Sequence, residues 1–162
     1  MDTTNRKKVL IALDFDPTAQ KVAEIGFSLG KAMDAEITLL HVILEPVNYT
    51  STGHVTVMGF AGYPQSEMGM LQTDGESALK KVAQQYLDKS KQHLGDRNIL
   101  TVVKEGDFGD SILKTAEDLH ANVIVLGSHS RKWMENVLMG SVTEKILQHT
   151  SIPLFIVPTK KK

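Results

Sequence analysis

The chain has 162 residues, 41% of them hydrophobic and 23% charged, with a formal net charge of −1 and no cysteine. That length and balance fit one ordinary soluble globular domain. The near-neutral charge excludes recruitment of nucleic acid or membrane by bulk electrostatics, and the missing cysteine excludes disulfide and thiol chemistry.

At the N-terminus, "MDTTNRKKVLIALDFDP" places basic residues before an apolar run of five, "VLIAL". The run is too short for a signal peptide's core and an aspartate closes it, so the cytoplasm is the expected compartment. No stretch approaches the roughly 20 apolar residues of a membrane span. "KVLIAL" (8–13) reads as a first strand, and Asp16-Pro17 as the N-cap and first position of a helix whose apolar residues Val22, Ile25, Leu29 and Met33 share a face. "EITLLHVI" (36–43) reads as a second strand.

Residues 45–75 carry five glycines and no sustained period. Such a loop is either functional, as a lid or partner surface, or disordered. Within it "HVTVMGF" allows one short extra strand, and Met58, Met68 and Met70 an adaptable apolar surface or plain linker. A second helix is predicted over about 76–94, with Leu79, Val82, Tyr86 and Leu87 inward and Gly95 as its stop. "ILTVVK" (99–104) is the third strand. A helix starting near Asp110 and burying Ile112, Leu113, Ala116 and Leu119 comes next, then "NVIVLG" (122–127), a helix from Ser141, and "PLFIVP" (153–158).

Strand and helix in alternation predict an α/β fold: an open, parallel five-stranded sheet with helices on both faces, Rossmann-like. The strands are β-branched and nearly continuous in apolar character, as strands covered on both faces are. In such sheets ligands bind beyond the carboxyl ends of the strands, where the strand order reverses. That directs attention to 13–16, 42–45, 106–110 and the segment after 127.

That segment is "GSHSRKWMENVLMGSVTEK" (127–145). Ser141 and Glu144 stand in S-x-x-E spacing, a capping box, which places unpaired N–H groups and the positive end of a helix dipole at Gly140 to Thr143. A capping box alone marks only a helix start. Gly127 adds a strand-end residue able to turn with positive φ, and Arg131 and Lys132 in the loop offer counter-charge. Together they form an arrangement suited to a nucleotide's phosphates. Asp14, at the carboxyl end of the first strand, would be repelled by phosphate, so its role is a hydrogen bond to ribose or base; the alternative is a turn aspartate.

Six histidines (41, 54, 93, 120, 129 and 149) show neither H-x-H nor H-E-x-x-H spacing, so no metal site is predicted. His129 lies within the candidate loop. There is no G-x-S-x-G elbow and no P-loop pattern, so neither a serine nucleophile nor an efficient ATPase is expected.

"VLIALDFD", "LLHV" and "VIVLGSHS…LMGSVTEKIL…SIPLFIVP" resemble the universal stress protein family across nearly the whole chain outside 45–75. In that family's ATP-binding branch the signature is G-x-x-G-x9-G-[ST]. Gly127, Gly140 and Ser141 match it at the right spacing, and Ser130 replaces the middle glycine. The resemblance implies an adenine nucleotide as ligand, ATP with Mg²⁺ brought by its phosphates. It implies contacts to adenosine from Asp14 and the backbone at Ala12, Leu13 and Val42. It further implies contacts to ribose and phosphates from Gly127, Ser128, His129, Ser130, Arg131, Gly140, Ser141, Val142 and Thr143, with Gly106 on the same rim. It implies a homodimer through the last strand, which Pro153 and Pro158 bracket. Two alternatives remain at this point: a slow ATPase or self-phosphorylating enzyme (at Ser130, Ser141 or Thr143), and an interaction module whose nucleotide site Ser130 has closed.

Overall fold

The computed structural model describes residues 5–15, 17–43, 76–128 and 140–159. The predicted insertion at 45–75, the residues His129, Ser130 and Arg131, and Asp16 lie outside them.

Five parallel strands form one sheet in the order β3-β2-β1-β4-β5. They are β1 (Lys8–Ala12), β2 (Glu36–Ile43), β3 (Leu100–Glu105), β4 (Val123–Gly127) and β5 (Leu154–Val157). Among the described residues four helices connect them: α1 (Ala19–Ala32), α2 (Glu76–Leu94), α3 (Phe108–Leu119) and α4 (Ser141–His149). The predicted α/β sheet is what the chain forms. Alternation along the strands explains why their sequences look uniformly apolar. Val9, Ile11, Ile37 and Leu39 face one way, into a core with α1 and α2. Leu10, Leu40, Ile124 and Leu126 face the other, into a core with α3 and α4. Both faces are covered, so successive residues are all buried.

Helix starts are where the sequence reading needs correction. α1 begins at Ala19, not at Pro17: the first helical bond runs from the Val22 N–H to the Thr18 carbonyl at 3.2 Å, and Thr18 caps without a side-chain hydrogen bond. α3 begins at Phe108 rather than near Asp110, because the Asp107 carboxylate accepts the Asp110 N–H at 3.0 Å and caps the turn. α2 ends as predicted, with Gly95 at φ +74 and its N–H returned to Lys91 and Gln92.

Going from β1 to β2 to β3 the chain steps outward in one direction; β4 and β5 lie on the other side of β1. The order therefore reverses between β1 and β4, and a crevice opens beyond their carboxyl ends. Among the described residues no helix is long and apolar enough to cross a membrane.

Candidate functional site

A cleft of about 720 Å³, partly open to solvent, lies at that reversal. Its walls come from the end of β1 (Ala12, Leu13, Asp14), the end of β2 (Leu40, His41, Val42) and the end of β4 (Leu126, Gly127). α1 contributes Ala19 and Val22, α3 contributes Phe108 and Ile112, and α4 contributes Val142 and Thr143. Its lining is mostly apolar, and Asp14, Thr18, His41, Thr143 and Thr159 are its polar members.

The α4 helix is pinned so that its first turn reaches the cleft. The Gly140 N–H donates to the Ser128 carbonyl at 2.6 Å, and the Thr143 hydroxyl donates to the Gly127 carbonyl at 3.0 Å. Ser128 is itself buried: its N–H donates to the Val157 carbonyl, and its hydroxyl accepts the Thr159 N–H at 3.0 Å. These ties lock the helix N-terminus to the ends of β4 and β5. The first intrahelical bond is Glu144 N–H to Gly140 carbonyl. The N–H groups of Ser141, Val142 and Thr143 therefore have no acceptor within the helix, and two of these residues, Val142 and Thr143, line the cleft at the positive dipole end.

This geometry corrects three expectations. The N-cap is Gly140, extended at φ −67 and ψ 157 with no side-chain cap, so Ser141 and Glu144 sit at the first and fourth helical positions. They are one residue out of register for a capping box. The Gly140 N–H is already engaged by Ser128, which removes it from the donors available to an anion. Gly127 does not make a sharp turn: it remains the last residue of β4, paired with Val157.

Asp14, at the end of β1, stands half-buried in the cleft wall. Beside it His41 is 2% exposed, and its Nδ1 lies 2.7 Å from the Leu13 carbonyl. Facing an acceptor, Nδ1 carries the proton. Burial pushes the His41 pKa down to about 4, the bond to Leu13 opposing part of that shift, so the ring is neutral near pH 7.

Of the predicted residues, Ala12, Leu13, Asp14, Val42, Gly127, Val142 and Thr143 all line the cleft. Ser128, Gly140 and Ser141 do not line it; the first two act as the pins just described, and Ser141 is exposed at the start of α4. Gly106 is also away from the walls: it turns at φ +129, with its N–H on the Ile43 carbonyl, between β3 and α3. Sequence reasoning missed Thr18, His41, Phe108 and Thr159. His41 had a signal, a polar residue inside the apolar run "TLLHVI" of a strand covered on both faces.

A model of the universal stress protein family matches residues 5–158. The chain belongs to the universal stress protein family. It is 27% identical over 156 residues to the universal stress protein MJ0577 of Methanocaldococcus jannaschii, covering 95% of this chain and 96% of that one. The solved structure of MJ0577 superposes with a TM-score of 0.67 at 25% identity, over 96% of this chain and 98% of that one. A universal stress protein solved in complex with cAMP shares the fold, with a TM-score of 0.61 at 14% identity over 96% of this chain and 98% of that one.

Proposed function

We propose that this universal stress protein binds an adenine nucleotide, ATP, in the cleft at the β1/β4 reversal, and acts through occupancy rather than turnover. The observation that carries the reading is that one mostly apolar crevice is lined both by Asp14 and by the first turn of α4. Three N–H donors at the start of α4 suit a polyanion, and Asp14 suits the hydroxyls of a ribose or the amine of a base. The span between them, through Ala12, Val42, Leu126 and Val142, suits the faces of a purine and its sugar. Membership of the family supports the same reading, as does the relative that holds cAMP.

The donor set fits phosphate without a protein-held metal: backbone amides supply the positive field, and Mg²⁺ would arrive on the phosphates, keeping most of its waters. A homodimer through β5 belongs to the same proposal. β5 is an edge strand, Phe155 on it is 37% exposed, and Pro153 and Pro158 flank it. We place this dimer in the cytoplasm.

Titration of the full chain with a fluorescent ATP analogue tests the reading. The expected result is saturable binding that unlabelled ATP displaces, weakened by Asp14→Ala. A Ser130→Gly variant, which restores the family signature at that position, is expected to bind as well or better, by up to about tenfold. Absence of saturable binding in the parent contradicts it, whether or not Ser130→Gly recovers binding.

A further inference from the structure

The segment Leu13–Asp14–Phe15 leaves β1 without entering a helix, so its backbone groups need partners from elsewhere. They find them on two other elements. The Leu13 N–H donates to the Leu40 carbonyl at 2.8 Å, extending the β1/β2 ladder by one residue. Beyond that point the ladder stops and side chains take over. His41 Nδ1–H donates to the Leu13 carbonyl at 2.7 Å, and the Tyr86 hydroxyl, from α2, donates to the Asp14 carbonyl at 2.6 Å. Phe15 closes the group: its ring lies 4.1 Å from that of His41 and 4.6 Å, edge-on, from that of Tyr86.

Two consecutive carbonyls are thus gripped by two aromatic side chains that also pack on the next residue. Each grip fixes the ψ angle of the residue it holds, and together they fix where the Asp14 Cα and its side chain stand relative to the cleft. A carbonyl hydrated by water would leave that peptide free to turn. His41 itself lines the cleft beside Asp14, so the grip is local to the site.

We propose that His41 and Tyr86 are positioning residues that hold Asp14 in the shape required by the nucleoside end of a bound nucleotide, an inference that rests on the nucleotide reading above. They act on the ligand through Asp14 and lower the cost of ordering it, which is how a preorganised site gains affinity. Tyr86 lies on α2, so the position of α2 is coupled to the nucleoside end and not to the phosphate end, which among the described residues the first turn of α4 forms. The two ends are separately measurable with two probes. ATP requires both; inorganic tripolyphosphate requires only the amides of α4.

The test titrates the parent chain, Tyr86→Phe, His41→Leu and His41→Asn with each probe. Tyr86→Phe and His41→Leu are expected to weaken ATP about fivefold while leaving tripolyphosphate unchanged, the scale of one lost hydrogen bond. His41→Asn, which places an amide donor near the Nδ1 position, is expected to recover most of the loss. In an Asp14→Asn background Tyr86→Phe is expected to cost less than about twofold more, because residues acting through one group are not additive. Should His41→Leu fail to fold, Tyr86→Phe still carries the test, since it removes one oxygen and keeps the ring. Unchanged ATP affinity in Tyr86→Phe overturns the inference while the nucleotide reading stands. So does an equal loss for both probes, or a full additional loss in the Asp14→Asn background. A parent chain that binds no ATP overturns the nucleotide reading and this inference with it.

Discussion

Thr143 joins a structural tie to a place in the candidate site: its hydroxyl holds the Gly127 carbonyl while its N–H, in the first turn of α4, has no acceptor inside the helix. Replacing it with valine keeps the volume and takes the hydroxyl partner from a part-buried carbonyl. Thr143→Val is therefore expected to lower stability by about 1 kcal/mol, seen as a lower urea midpoint at unchanged slope. Ser128 shows what a sequence hides at this scale. Next to Gly127 in a candidate loop it resembled a ligand contact, yet its hydroxyl is taken by Thr159, 31 residues away. Nothing local announces that pairing. Gly127, Gly140 and Asp14 were legible because their neighbours in the sequence are also their context: a strand end, a helix start and a strand end again.

His41 makes the residue-scale energetics testable by pH. Its pKa falls from 6.5 to about 4 on folding because burial disfavours the imidazolium. Between those values the unfolded chain binds the proton and the folded chain does not, so stability is lost as pH falls from about 6.5 towards 4. The full loss is about 3 kcal/mol. Asp107 behaves differently. The Lys145 ammonium at 2.8 Å, and then the Asp110 N–H, hold its carboxyl below the usual range. Its contribution is present at higher pH and disappears only in the more acid range below 3.8. Urea unfolding from pH 7 to 4 is expected to show the first slope, flattened in His41→Asn; an unchanged slope in that variant contradicts the assignment.

At the scale of elements, α1 lies unusually close to the sheet. A Cβ on Gly30 would stand 2.6 Å from Ile37 Cγ1, a stiff, buried atom near the branch of its side chain. Gly30→Val is expected to lower stability by about 2 kcal/mol, since overpacking outweighs the gain in helix propensity. Thermal unfolding would read it as a lower midpoint. The five strands were legible to within about a residue at each end. Their apolar runs are set by two-sided burial, a property of each strand's own sequence. The start of α4 at Ser141 was legible, whereas α1 starts at Ala19 after a Thr18 cap, two residues beyond the Pro17 that the sequence suggested. The cap of α4 is Gly140, so the helix begins one residue earlier than a serine-glutamate capping box would put it.

For the whole molecule, the sheet order places the cleft and leaves two edges. β5 is one of them, and Phe155 stands exposed on it, in register with Val125 of β4. If two copies join through β5, Phe155→Lys is expected to shift sedimentation from dimer to monomer without unfolding the chain. A variant that sediments like the parent contradicts that interface. The reversal of strand order between β1 and β4 could not be read from element order alone, because βα repeats are compatible with more than one arrangement. It is this reversal that brings Asp14 and α4, separated by more than a hundred residues, to the walls of one crevice.

The most direct measurement is a crystal structure of the full chain grown with ATP and Mg²⁺. The account predicts phosphate oxygens within hydrogen-bond distance of the Ser141, Val142 and Thr143 N–H groups, and the nucleoside against Asp14. An unoccupied cleft, or ATP bound with its phosphates away from the start of α4, would contradict it.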